Sequence, residues 1–365
     1  MIPVFRPSVA QSAAARLGDS LSSGWWSYGE RCHELEALFE KSWGGKCLVV
    51  SSCTSALYVV ARVLRAHGSR GAVVVPAMTF SSTAAAFAHA DFEIRLADVD
   101  AETLLLSPES VVLRAGTSAS AVVCVDLYGQ RCQISAVADA ARRSGAVIIE
   151  DRAHRIGLDT LPEGDFVCAS FNTVKELPGG EGGLLWCRDP HDASYARAMS
   201  NMGMDTDPWT RSRTAVHADY RFRPDFGLKL RLNDLAASLV LAAVEEHPEQ
   251  RARRRALHER YVGVSAKMGS LLRMIPRRED DSFLMQVARV PAGCRDRLRE
   301  SLAQASVATS VHYPSLTNHP RLREQRCPVA ELASTELVTL PSSTTMSDQD
   351  WSDVATALRR GGEGV

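Results

Sequence analysis

Two charged residues set in apolar surroundings are the first places where this sequence could do chemistry. Asp151 lies near the end of Ile148-Ile149-Glu150-Asp151-Arg152-Ala153-His154. Lys175 follows 24 residues later (175 minus 151), after Ala169-Ser170-Phe171-Asn172-Thr173-Val174 and just before a run containing Gly179, Gly180, Gly182 and Gly183. A lysine partly withdrawn from water loses proton affinity and can act as nucleophile and proton carrier. An aspartate at the carboxyl end of an apolar strand lies where α/β sheets bind ligands, and its charge can hold a proton on a ring nitrogen. Glycines let the backbone come close to a bound group. Taken singly, each has a plainer reading: a strand-end carboxylate that caps a helix, or a surface lysine in a turn.

Two further segments change the balance. In Ser51-Ser52-Cys53-Thr54-Ser55, hydroxyls and free backbone N–H groups gather at the start of a helix, which favours an anion such as a phosphate. In Val75-Pro76-Ala77-Met78-Thr79-Phe80, the aromatic Phe80 falls just past a strand, where it could stack on a ring. Pyridoxal phosphate (PLP) needs an imine-forming lysine, an acid on its pyridine nitrogen, donors for its phosphate and a cover for one face. All four are present, and their order and spacing carry the reading.

The elements that must position these groups are those of an α/β protein. Apolar, β-branched runs occur at 47–50, 72–75, 94–99, 121–127, 146–149, 166–171 and 183–187. Most are continuous, as in strands buried on both faces. Leu57, Val60, Ala61 and Leu64 make a helical stripe between them, and Leu35, Leu38 and Phe39 an earlier one. Alternating strands and helices imply a mostly parallel sheet with helices on both faces. Residues 200–226 are less regular, and a helix is expected to begin near Asn233. A large domain over 1–240, carrying the cofactor, and a smaller α+β domain over 241–365 are expected. The small domain should hold strands at 283–290 and 307–312, and a last helix opened by Ser347-Asp348-Gln349-Asp350.

Together these residues resemble the DegT/StrS family of PLP-dependent aminotransferases, over nearly the whole chain. The resemblance starts at Gly24-Trp25-Trp26-Ser27-Tyr28-Gly29 and takes in Glu181-Gly182-Gly183 and Leu340-Pro341. It implies an aspartate-aminotransferase fold (fold type I), with Cys53 and Thr54 in the phosphate motif and Phe80 stacked on PLP. It implies Asp151 on the pyridine nitrogen, His154 near the ring hydroxyl, Ser170 on the phosphate and Lys175 as the imine lysine. Gly227-Leu228-Lys229-Leu230-Arg231 resembles a segment that crosses to a neighbouring subunit, which implies a homodimer with shared sites and Lys229 on the partner's phosphate. Arg231, His312 and Tyr313 are implied near the substrate.

The implied reaction moves an amino group, with glutamate as donor, to a nucleotide-linked keto-sugar or a keto-cyclitol in amino-sugar or antibiotic-type biosynthesis. Cys53 stands where the family has glycine, Arg152 and Arg155 where it has small residues, and Asp126 where it often has histidine. Two other readings differ in chemistry. One is a PLP enzyme of the same family doing elimination, decarboxylation or condensation on a small amino-acid-derived substrate. The other is a regulator without turnover, against which the retained lysine, aspartate and phosphate motifs argue.

Bulk properties exclude other classes. The chain has 365 residues, formal net charge −1 and 45% apolar residues, so nothing draws it to nucleic acid or an anionic membrane. Its nine cysteines form no CxxC pair. Neither a metal site nor disulfides are expected, and a reducing, cytoplasmic compartment is. No signal peptide is apparent, and the apolar stretch near 235–244 falls far short of the ~20 residues of a membrane span. Arg251, Arg253, Arg254 and Arg255 follow Glu245, Glu246 and Glu249, and read as a solvated helix face with i,i+4 ion pairs. His33, His67, His89, His217, His247, His258 and His319 have no metal-ligand spacing, and no Walker A or GxGxxG signature precedes a helix.

Overall fold

The runs too apolar to face water on either side become the sheet. A computed structural model describes residues 1–213 and 220–363; His217 lies outside them. Seven strands, β1 (Lys46–Val50), β2 (Val73–Pro76), β3 (Ile94–Ala97), β4 (Ala121–Val125), β5 (Val147–Arg152), β6 (Phe166–Ser170) and β7 (Gly183–Cys187), form one sheet. Their order is β1-β7-β6-β5-β4-β2-β3. Every residue of β2, β4, β6 and β7 is buried. Neighbours from β3 through β6 pair in parallel, whereas β7 is antiparallel to both β6 and β1. The reversal follows from the link after β6: the loop 171–182 contains no helix to carry the chain across, so the next strand returns in the opposite direction.

Helices cover both faces. Leu57, Val60, Ala61 and Leu64 of the helix Cys53–Ala66 are buried against one side. Leu35 and Phe39 of the helix Glu30–Trp43 pack on the other with Ala237 and Val240. The latter two belong to a helix of 35 residues, Asp234–Met268, which begins at the expected cap: Asn233 accepts the Ala236 N–H. Asp234 also caps from a distance, its carboxylate accepting the N–H groups of Gly29, Arg31 and Cys32. The helix passes through residue 240 and carries Pro248 within it.

Beyond it, β8 (Arg273–Met274), β9 (Gln286–Arg289) and β10 (Leu337–Leu340) form a second, antiparallel sheet in the order β10-β9-β8. The strand expected at 283–290 is present over its second half. The one expected at 307–312 is not: only Val307 and Ser310 make isolated bridges, to Ile2 and Thr339. Ser347 and Asp350 exchange hydrogen bonds at the start of the last helix, so aspartate completes the capping box. The arginine run is also less uniform than expected. Arg253 pairs with Glu249 at i,i+4, but Arg254 is buried against Glu176, and Arg251 and Arg255 reach Asp159 and Glu279. Among the described residues no helix is long and apolar enough to cross a membrane, and no cluster of His, Cys, Asp or Glu is arranged to hold a metal. All nine cysteines are free thiols, eight of them buried.

Candidate active site

Where β5 and β6 end, the sheet opens on a cavity of about 400 Å³. Cys53, Thr54, Phe80, Asp151, His154, Ser170, Lys175, His312 and Tyr313 all line it. Lys229 and Arg231 do not. Lys229 is exposed, and Arg231 is half-buried with Nε and Nη1 lacking a hydrogen-bond partner. Their segment still runs beside the turn at 51–54, because Leu230 O accepts the Ser51 N–H and Arg231 bridges Val50.

Asp151 is 3% exposed. Oδ2 accepts from Thr83 Oγ1 at 2.8 Å, and Oδ1 from the Ala153 N–H at 3.1 Å and from Cys53 Sγ at 3.6 Å. Burial pushes its pKa up, and these donors together with the Lys175 charge oppose the rise. Lys175 is affected in the opposite sense: burial lowers its pKa to about 8, despite the attraction of Cys53 and Asp151. Each shift is the ordinary effect of removing a charged form from water.

Ser52, which also lines the cavity, caps the helix Cys53–Ala66 by accepting the Ser55 N–H. The first N–H groups of a helix have no carbonyl behind them, so those of Cys53 and Thr54 can serve an anion. Gly183 fixes how close this turn comes to the sheet: a Cβ there would lie 2.4 Å from Ser52 C and 2.6 Å from Cys53 N. Ser170, at the end of β6, is buried beside it and accepts the Asn172 N–H.

His154 and Tyr313 form a stacked pair, with Nε2 to Oη at 3.0 Å. His154 Nδ1 accepts the Tyr128 backbone N–H at 3.2 Å. Nε2 therefore carries the ring hydrogen and donates to Tyr313, whose own hydroxyl hydrogen is left for another acceptor. Burial and the nearby Lys175 charge hold His154 neutral. His312 Nδ1 meets Thr339 Oγ1 at 2.8 Å, and burial lowers its pKa to about 4. Phe80, more than half exposed, stands at the rim 5.7 Å from the Tyr313 ring.

Sequence reasoning missed three contributors. Thr83 lies one helical turn after Thr79, whose hydroxyl it meets at 3.0 Å, and that i,i+4 pair was the available signal. Tyr128 supplies the N–H that sets the His154 tautomer, from a left-handed conformation at φ 61°. Phe5 lines the cavity edge-on to His312, brought there by a terminus that pairs with Val307.

The unusual charges lie outside the cavity. Arg152 Nε and Nη2 donate to Glu150 Oε2 at 2.9 and 2.6 Å, and Nη1 donates to Thr160 O. Arg155 Nη1 lies 3.5 Å from Asp126 Oδ2, and burial pushes the Asp126 carboxyl up to about 6. A second cavity of about 420 Å³, bordered by Leu177, His247, Arg251 and Arg255, shares no residue with the first, and its arginines are already paired.

A buried carboxylate, an amine of lowered pKa, a helix N-terminus and a rim aromatic around one cavity fit PLP. A model of the DegT/DnrJ/EryC1/StrS aminotransferase family matches residues 7–359. The spore coat polysaccharide biosynthesis protein SpsC of Bacillus subtilis (strain 168) is 28% identical over 378 residues, which span 98% of this chain and 96% of that protein. Among solved structures, the aminotransferase TlmJ from Streptoalloteichus hindustanus has a TM-score of 0.88 at 28% identity, over 100% of this chain and 99% of that one. The putative sugar aminotransferase Spr1654 from Streptococcus pneumoniae, in its PMP form, has a TM-score of 0.89 at 22% identity over 100% of both chains, a likeness of fold.

Proposed function

The chain belongs to the DegT/DnrJ/EryC1/StrS aminotransferase family and is a PLP-dependent aminotransferase of fold type I, and from that premise we propose that it carries an amino group from glutamate to a keto-sugar, linked to a nucleotide. The names of SpsC, a polysaccharide biosynthesis protein, and of Spr1654, a putative sugar aminotransferase, support a sugar as acceptor. The observation that carries the site assignment is that Lys175, Asp151 and the N-terminus of the helix Cys53–Ala66 all face one cavity.

In this reading Lys175 holds the cofactor through Nζ, and Asp151 keeps the proton on its ring nitrogen. When bound, the cofactor draws electrons from the carbon that bears the donor's amino group and carries that group between the two half-reactions. Burial lowers the Lys175 pKa to about 8, so Nζ can take up a proton and return it near that pH within one turnover. Cys53, Thr54 and Ser170 would hold the phosphate, Phe80 would cover the ring, and His154 would serve the ring hydroxyl. His312 and Tyr313 border the acceptor, with Arg231 nearby.

Residues 1–240 act as the large, cofactor-binding domain and 241–365 as the small one, joined through the helix Asp234–Met268. The active unit is a homodimer, in which Lys229 reaches the partner's phosphate. Its exposed neighbours Phe222, Phe226 and Leu228 supply the apolar surface that such a contact needs. Eight buried free thiols among nine suit a reducing cytoplasm.

The purified protein tests this directly. Wild type should show a visible cofactor band that collapses when glutamate is added, and Lys175→Ala should show neither the band nor transamination. Retention of both by Lys175→Ala would overturn the assignment.

A further inference from the structure

The thiol of Cys53 is directed at the Asp151 carboxylate and not toward the phosphate that its backbone N–H can serve. Cys53 is the first residue of the helix Cys53–Ala66, where its backbone N–H is available to a phosphate, but its side chain turns back to the sheet. Sγ lies 3.6 Å from Asp151 Oδ1, within reach of an S–H donor. We propose that Cys53 is a positioning residue for Asp151: its thiol and Thr83 hold the two carboxylate oxygens from opposite sides and fix the plane of that carboxylate. This rests on the reading of Asp151 as the partner of the cofactor's ring nitrogen.

The geometry leaves Asp151 little rotational freedom. Oδ2 is tied to Thr83 at 2.8 Å, and Oδ1 is shared between the Ala153 N–H at 3.1 Å and the thiol. Rotating the carboxylate would break all three contacts at once. Cys53 as a whole is 7% exposed and Asp151 3% exposed, so a donor lost between them is costly. A thiol is a weak donor, which makes it a spacer as much as a charge-stabiliser; alanine would remove both functions, and serine would keep the donor.

Two measurements on the full-length protein test this. The first is the equilibrium affinity for PLP. Cys53→Ala should bind about fivefold more weakly than wild type, as for loss of one modest hydrogen bond, and Cys53→Ser should stay within about twofold. The second is the infrared S–H stretch of Cys53, isolated as the wild-type spectrum minus that of Cys53→Ser before PLP is added. Removing the anionic acceptor with Asp151→Asn should move this band to higher frequency, as a weakened hydrogen bond requires; a thiol that only fills space would not respond. A band that Asp151→Asn leaves in place, or a Cys53→Ala affinity equal to wild type, overturns the positioning role. If the wild-type chain itself fails to take up PLP, the reading of the whole site falls first, and the two failures are distinguishable.

Discussion

Thr83 Oγ1 donates to Asp151 Oδ2 across 2.8 Å, joining the helix Ser82–Ala88 to the end of β5. The Thr83 hydrogen is committed to Asp151, so Thr79 must be the donor in the 3.0 Å contact between the two threonines. The carboxylate is thus held by a chain of two hydroxyls anchored beside Phe80. Thr83→Val keeps the shape and removes the donor. A hydrogen bond to a charged, buried group is worth about 1.5–3 kcal/mol, so PLP affinity should fall by about tenfold or more. Thr83→Ser should retain it within about twofold. Fluorescence titration of the apoprotein with PLP reads both.

Lys175 sets a pH dependence of stability whose sign follows from its depressed pKa. The folded apoprotein releases this proton near pH 8, and the unfolded chain near the ordinary lysine value of 10.5. Between those values the unfolded state binds more protons, so stability rises with pH. The penalty of burying the charged amine is fully present below pH 8 and is gone above about pH 10.5. Apoprotein carrying Lys175→Met should therefore melt higher than wild type at pH 7, and the difference should close as pH rises through that window. A constant difference in Tm from pH 7 to pH 10.5 would show that Lys175 is not desolvated.

How much of this was legible in the sequence depends on what each residue depends on. All seven strands of the large sheet could be read, because burial on both faces leaves continuous apolar runs. Asp151 could be singled out because it interrupts that pattern at the end of a strand, and Lys175 because it stands between a strand and a run of glycines. Thr83 had only its i,i+4 spacing from Thr79 to mark it, and a threonine in an alanine-rich helix gains meaning only when the fold brings β5 beside it. The strand expected at 307–312 failed for a related reason. Val307 pairs with Ile2 and Ser310 with Thr339, so two different neighbours take one residue each and no ladder forms. β8 has only two residues and leaves no periodic signal. Arg152 and Arg155, which in sequence look like changes to the reactive centre, are turned away from the cavity into ion pairs.

Arg152 should therefore matter for folding and not for chemistry. Its side chain is 1% exposed and spans from Glu150 to the carbonyls of Thr160 and Leu161, with its guanidinium 5.5 Å from the Trp43 ring. Glu150 in turn accepts the N–H groups of Glu163 and Gly164 at 2.7 Å. Arg152→Met keeps much of the volume but leaves Glu150 Oε2 buried without its cation. Breaking such a pair costs about 3–5 kcal/mol. Denaturant midpoints should fall accordingly, and Glu150→Gln in the same chain should recover part of the loss. The kcat of the folded fraction should stay within about twofold of wild type, since a group that touches no reacting atom has no transition-state interaction to lose.

The region around Lys229 tests the dimer. Phe226 is 93% exposed in the single chain and Phe222 66%. Two aromatics so exposed beside a lysine that would bind a phosphate are costly to leave in water, since burying each is worth about 1.5–3 kcal/mol. Phe226→Asp places a charge in the proposed contact without touching the cavity, so the effect on PLP must come through assembly. Wild type should sediment as a dimer, and Phe226→Asp should shift toward monomer with a concentration-dependent loss of PLP. Lys229→Ala should leave the dimer intact and weaken PLP alone, by about fivefold, as for one charge-assisted phosphate contact. Mixing then separates the subunits' contributions. If each site takes Lys175 from one subunit and Lys229 from the other, a heterodimer of a Lys175→Ala chain with a Lys229→Ala chain has one site that lacks both residues and one that lacks neither. The heterodimer, purified away from both homodimers, should show half of the wild-type visible band at wild-type affinity. A single weak class of sites would mean that Lys229 serves its own subunit.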